Sequence, residues 1–303
     1  MKSVSFVASR LGCVARRVAA ALALALVAMN SAYAQKIFES PDAAMAEFGD
    51  ALASNSDTRL KVILGDAFRN FIPPLPEESR FRFLAAWARA HSIKAVDDTH
   101  AEIAVGDDGW TLPVPIVKSA KGWQFDTRAG AEEMRVRRIG KNELAAIQTM
   151  LAICDAQAEY AQKSGGGKGL VAYAAKLTSS PGKRDGLYWP TNPGDEPSPL
   201  GPAFLGAARL ASPDGYNGYF YKLLTQQGAH APGGAYSYLV RGQLFGGFAV
   251  IAWPARYQDT GIKSFIVSHD EQIYEQDFGP DTAAMAAAIK SFDPGPGWTK
   301  VAP

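Results

Sequence analysis

The chain has 303 residues, with 31 basic side chains against 30 acidic ones, four histidines and two cysteines. So even a balance leaves no basic footprint for nucleic acid and no polybasic patch for an anionic membrane. Two cysteines also exclude a small scaffold built on disulfides.

The first stretch reads as a targeting device. Lys2, Arg10, Arg16 and Arg17 make a positive region, and the apolar run from Val18 to Met29 has the length of a signal core. It is too short for a permanent membrane helix. Ala32-Tyr33-Ala34 offers small residues at the cleavage positions, so Gln35 is the expected mature start. Cys13 precedes the apolar run instead of closing it, which argues against a lipid anchor, and Arg16-Arg17 lacks the rest of a twin-arginine motif. Without residues 1–34 the balance is 27 basic to 30 acidic, and Cys154 alone remains, so no intrachain disulfide can form in the mature chain.

Ser40-Pro41 opens a helix with a capping hydroxyl and a proline at the first helical position. Ala44, Phe48, Ala51 and Leu52 share its inner face. Thr58 to Asp66 predicts a second helix with Leu60, Ile63 and Leu64 inward. The run Phe71-Ile72-Pro73-Pro74-Leu75-Pro76 is an extended connector, because each proline pushes its predecessor out of the helical region. Glu77 to His91 is again helical in spacing, with Phe81, Leu84, Ala85 and Ala88 on one side. Three short strands follow, at Ala101 to Val105, Trp110 to Lys118 and Gly122 to Asp126, with Pro113 and Pro115 confining the middle one to an edge or an irregular course. By fold-level analogy, the concave face of such a unit is a place for a small ligand.

Ala129 to Ile139 predicts a short charged helix ended by Gly140. Asn142 then caps a long helix from Glu143 to Lys163, whose apolar stripe is Leu144, Ile147, Leu151, Cys154, Ala158 and Ala161. Cys154 on that stripe reads as a small packing residue before it reads as a nucleophile. Gly165-Gly166-Gly167-Lys168-Gly169 mimics a phosphate loop. It follows a helix instead of a strand, and no hydroxyl residue comes after the lysine to hold Mg²⁺.

From Pro181 to Ala203 the chain is rich in Pro, Gly, Asp and Ser. Within it Tyr188 and Trp189 stand side by side, a stacking platform for a sugar or peptide, or more plainly a lid folded onto the sheet. Alternating runs at Tyr219 to Leu224 and Phe248 to Trp253 predict strands, the latter interior because both its faces are apolar. Ile262 to Ser268 and Gln272 to Asp277 form a further pair, joined by a turn at His269-Asp270-Glu271. Ser268-His269-Asp270 is no catalytic triad, since strand neighbours point apart. His269, Asp270, Glu271, Glu275 and Asp277 carry no calcium-loop signature and read as a solvated hairpin tip. Asp281 caps a last helix to Ser291. Among these features no motif carries a reaction, and no catalytic, metal or cofactor residue is assigned.

Five blocks resemble one family: Arg137 to Leu144, Asp155 to Tyr160, Asp185 to Pro190, Gly247 to Ala255 and Asp277 to Thr282. It is the bacterial exported family catalogued as domain of unknown function 2950, and the resemblance implies export and no established activity. The order Asp155 to Ala161, Asp214-Gly215-Tyr216, Ala252-Trp253-Pro254, Gly261 to Phe265 and Gln272-Ile273-Tyr274 is also similar to the head domains of type IV pilins and pseudopilins. The pilin's hydrophobic stem is absent, so that resemblance implies a head put to another task.

These readings give an α+β protein: a signal peptide at 1–34, helices with a small antiparallel meander at 35–140, and a long helix packed on a larger antiparallel sheet at 141–303. The expected function is that of an exported, non-catalytic binding or assembly-associated protein, periplasmic or extracellular. Its partner would be an envelope or pilus-type protein, with no permanent membrane span. The competing expectation is an envelope hydrolase acting on a cell-wall saccharide or peptide, with Tyr188 and Trp189 as its ligand-binding subsite.

Overall fold

A computed structural model describes residues 35–70, 72–164, 172–192, 194–201 and 212–301. The leader and the glycine loop at 165–169 lie outside the described residues. The chain divides into two compact units, Met1–Met134 and Arg135–Pro303.

In the first unit, α1 (Pro41–Ala53) and α2 (Asp57–Leu64) each start on a serine. The Ser40 hydroxyl accepts from Ala43 N at 3.1 Å and that of Ser56 from Arg59 N at 3.3 Å. These bonds satisfy amides that the first helical turn leaves without partners. Phe48, Ala51, Leu60, Ile63 and Leu64 are buried, as their spacing requires. The helix α3 (Glu77–Arg89) ends two residues early, and His91–Ala95 forms a strand, β1. Its backbone pairs with β2 (His100–Val105), from His91 opposite Val105 to Ala95 opposite Ala101. The side chains of β1 are mostly exposed, so its sequence shows no alternation. The sheet continues through β3 (Ile116–Ser119) to β4 (Gly122–Phe125), all antiparallel. The strand expected from Trp110 shrinks to its last part, because Pro113 and Pro115 have no N–H to give a ladder. On α3 the expected face is also rotated. Phe81 is 55% exposed, whereas Phe83, Ala86 and Trp87 pack against the core.

One helix, α4 (Thr127–Ser164), replaces the two expected around Gly140. Glycine inside a helix costs about 1 kcal/mol, a penalty tertiary contacts can override. Here Arg138 pairs with Asp259, and Asn142 Nδ2 donates to Thr260 O at 2.9 Å. Asn142 is therefore a mid-helix tie and not a cap. The buried face of α4 within the second unit also differs from the expected stripe. Ala146, Met150, Ile153, Cys154, Gln157 and Ala161 are buried, Ile147 and Leu151 flank them half-covered, and Leu144 is 67% exposed. A polar residue, Gln157, sits in that face because its amide finds partners, and this shifted the apolar pattern.

The second unit's main sheet runs β13-β12-β11-β10-β5, antiparallel throughout: β5 (Tyr219–Leu224), β10 (Ala249–Pro254), β11 (Ser264–Ser268), β12 (Ile273–Gln276) and β13 (Thr299–Lys300). β6 (Gln226–Gln227) pairs with β7 (Tyr236–Ser237), and β8 (Leu239–Val240) with β9 (Gln243–Leu244), as two short ribbons. β10 is interior, and β11 at the centre is buried along its whole length. The last helix, α5 (Thr282–Ala288), lies on β10. Asp281 occupies its N-cap position without a side-chain capping bond, and Lys222 closes the other end, donating to Ala286 O, Ala287 O and Ile289 O at 2.7–3.0 Å. Among the described residues no helix is long and apolar enough to cross a membrane.

Candidate functional site

The first unit contains a cavity of about 580 Å³. Its floor comes from α1 and α2: Phe48, Leu60 and Leu64, all buried. Phe68, in the short turn Phe68–Asn70, closes one end. The proline-rich connector brings Ile72, Pro74 and Leu75, and α3 brings Ser79, Arg80 and Phe83. The opposite wall is the irregular stretch before β3, with Trp110, Leu112, Pro113 and Val114. The prolines at 113 and 115 interrupt the pairing with β2 between Leu112, whose N–H still reaches Ile103 O, and β3. At the rim Leu75 and Trp110 stay 48% and 41% exposed.

Aromatic rings tie floor to rim. Phe48 to Trp87, Trp87 to Phe83 and Phe83 to Trp110 have centroid separations of 6.2, 5.8 and 6.2 Å. Gly49 allows the first contact, because a Cβ there would fall 2.7 Å from Trp87 Cζ2.

The charged lining residues are Asp57, Arg69 and Arg80. Arg69 pairs with Asp57, donates through Nη1 to Ile72 O at 3.2 Å, and stacks on Phe68 at 4.5 Å; its Nε is buried without a partner. Arg80 lies over the Phe81 ring at 4.9 Å and, among the described residues, has no carboxylate partner. The lining therefore offers shape, apolar contact and one uncompensated positive charge. A volume of this size with a few polar groups is what small-molecule sites have.

Tyr188 and Trp189 lie in the second unit. Tyr188 is half-buried, its backbone paired with Leu177 and Ser179 at 2.9 and 2.8 Å. Trp189 is 8% exposed, its Nε1 donates to Glu196 O at 3.4 Å, and the Arg184 guanidinium sits 5.3 Å over its ring. The carboxylates nearby are already engaged. Asp185 meets Lys176 at 2.8 Å, Glu196 meets Arg184 at 3.1 Å and Lys163 at 3.0 Å, and Asp195 accepts from Asn192 N at 2.9 Å. Lys176 holds Asp185, Asn192 holds Asp195 and Lys163 holds Glu196 below the usual carboxylate range. Asp214 pairs with Arg256. A general acid needs the opposite shift.

Among the described residues no group of three or more His, Cys, Asp or Glu could hold a metal ion. Cys154 is buried, and that burial, with Glu271, Asp155 and Asp270 nearby, pushes its thiol up to about 12.

The protein family described as being of unknown function (DUF2950) matches residues 35–301. The chain belongs to DUF2950. No curated protein and no solved structure matches it. No single stretch of this DUF2950 chain marks the pocket, because α1, α2, the Phe68–Asn70 turn, the connector, α3, the stretch before β3 and Met134 of α4 all contribute to it, each with an ordinary local pattern. The one local signal was an excess of aromatic residues on α3, where Phe81, Phe83 and Trp87 are more than one face can bury.

Proposed function

We propose that this DUF2950 protein is an exported, non-catalytic binding protein of the cell envelope, and that its first unit takes an apolar small molecule into the 580 Å³ cavity. The cavity carries the reading. Its floor is buried and apolar, its rim keeps Leu75 and Trp110 exposed, and its one lining carboxylate, Asp57, is tied to Arg69. Export is supported by the basic and apolar leader and by a family match that begins at residue 35. An envelope or pilus-type partner remains part of the proposal, supported by a helix and an antiparallel sheet that share one core in the second unit. The lowered carboxylates around Trp189 speak against a hydrolase there.

The test is titration of the purified protein with an uncharged apolar fluorophore, N-phenylnaphthylamine. One saturable site is expected, and Leu52→Trp, which fills the cavity from a half-buried lining position, should weaken it while circular dichroism stays unchanged. Non-saturable uptake, or equal affinity in the filled variant, would overturn the reading.

A further inference from the structure

We infer that the pocket's ligand is an anionic amphiphile, an apolar body ending in a carboxylate or phosphate, and that Arg80 receives its head. This rests on the binding reading above and adds the ligand's charge. Three charged residues line the cavity, and two of them cancel: Asp57 neutralises Arg69. Arg69 is also occupied by Ile72 O and the Phe68 ring, and its Nε is shut off from solvent. The positive charge left over belongs to Arg80. It is half-buried on the cavity wall, stacked on the ring of Phe81, with no carboxylate partner among the described residues.

An apolar ligand without charge would strip water from that guanidinium and return nothing, and uncompensated charge in an apolar site is costly. A ligand ending in an anion replaces the lost water with charge-assisted hydrogen bonds, and guanidinium matches both carboxylate and phosphate geometry. The exposed rim residues Leu75 and Trp110 and the neighbouring Phe81 suit the apolar part near the head. The two head chemistries stand for a free acyl acid or a lipid phosphate.

The experiment compares laurate, lauryl phosphate, lauryl alcohol and lauroylcholine by calorimetric titration of the purified protein, each below its micelle concentration. Laurate or lauryl phosphate should bind on the order of tenfold or more tighter than the alcohol, and the cation weakest. The tighter of the two names the head. Arg80→Met should bring the acid down to the alcohol's affinity and leave the alcohol unchanged, with Arg80→Lys between. Arg82→Met, whose side chain is 73% exposed on the same helix, should keep the preference. Equal binding of acid and alcohol by the unaltered protein would overturn the anionic head and leave the apolar pocket standing. An equal loss in Arg82→Met would also overturn it, by reducing the effect to general surface charge. Binding of none of the four would end both readings.

Discussion

Gln157 on α4 hydrogen-bonds both backbone groups of Ala174, donating from Nε2 to its carbonyl at 2.9 Å and accepting its N–H at Oε1 at 2.8 Å. The glutamine is fully buried, so one side chain stands in for a strand partner at Ala174. Gln157→Ala should therefore destabilise by about 1–3 kcal/mol, because two backbone groups lose their partner away from water. Urea unfolding checks this, and a midpoint equal to the parent's would mean that water replaces the amide without loss. Glu143 acts in a related way, accepting from Ile262 N and Lys263 N at 2.9 and 3.0 Å. Neither residue lies on the apolar stripe that the spacing predicts.

Gly140 makes a second test. It lies inside α4, and a Cβ built there meets nothing within 4 Å. Gly140→Ala should stabilise the protein by roughly 0.5–1 kcal/mol by restricting the unfolded chain. A clear loss of stability would place a bend or close contact at that residue and break the continuous helix.

The corrected face of α4 predicts an ordering among truncations. Ile153 is fully buried in the core of the second unit, and Leu144 is 67% exposed. Ile153→Ala should cost about 2–5 kcal/mol and Leu144→Ala within about half a kcal/mol. Half-covered Leu151 should fall between them. If Leu144→Ala proved the more damaging, the face inferred from spacing would be right after all.

What could be read in the residues depended on how local the causes were. Ser40 sets its helix through a bond three residues away, and the inner faces of α1 and α2 followed from spacing, whereas the Ser56 cap of α2 emerged only in the structure. The strand β10 was visible because both of its faces are apolar. By contrast β1 is held by backbone pairing to β2 with little side-chain burial, so no pattern marked it. The helix through Gly140 depends on contacts with residues more than a hundred positions away, such as Asn142 with Thr260. The cavity has the same character: Phe48, Phe68, Arg80 and Trp110 come together only through the fold of the first unit.

Processing gives another prediction. Gln35, the expected mature start, donates from Nε2 to Ile63 O at 3.0 Å and Phe125 O at 2.6 Å, which ties it to α2 and β4. Mass analysis of the protein from an expressing cell's envelope fraction should find an uncyclised Gln35 at the N-terminus, because cyclisation would expel Nε2 as ammonia and break both bonds. An intact Met1 on that material would remove the export proposal. Gln35→Ala should leave export unchanged and lower the unfolding midpoint.

Cys154 ties burial to pH. Its Sγ lies 3.9 Å from Ser268 O on β11, and burial raises the folded thiol to about 12. In the unfolded chain the thiol ionises in its ordinary range, near 8.5. Above that range the unfolded state sheds a proton that the folded state keeps, so the folded state loses relative stability as pH rises. The contribution is complete below the unfolded value and disappears as pH climbs toward 12, at up to about 1.4 kcal/mol per pH unit. Unfolding midpoints measured from neutral to alkaline pH should fall more steeply for the parent than for Cys154→Ala, whose lines should converge on the parent's as pH increases. The same burial predicts slow modification of the native thiol by a disulfide reagent at mildly alkaline pH and prompt modification in urea. Parallel pH slopes together with fast native labelling would show that the thiol ionises in the folded protein. Cys154 would then have to be read as a reactive group, and its packing role in α4 would fall.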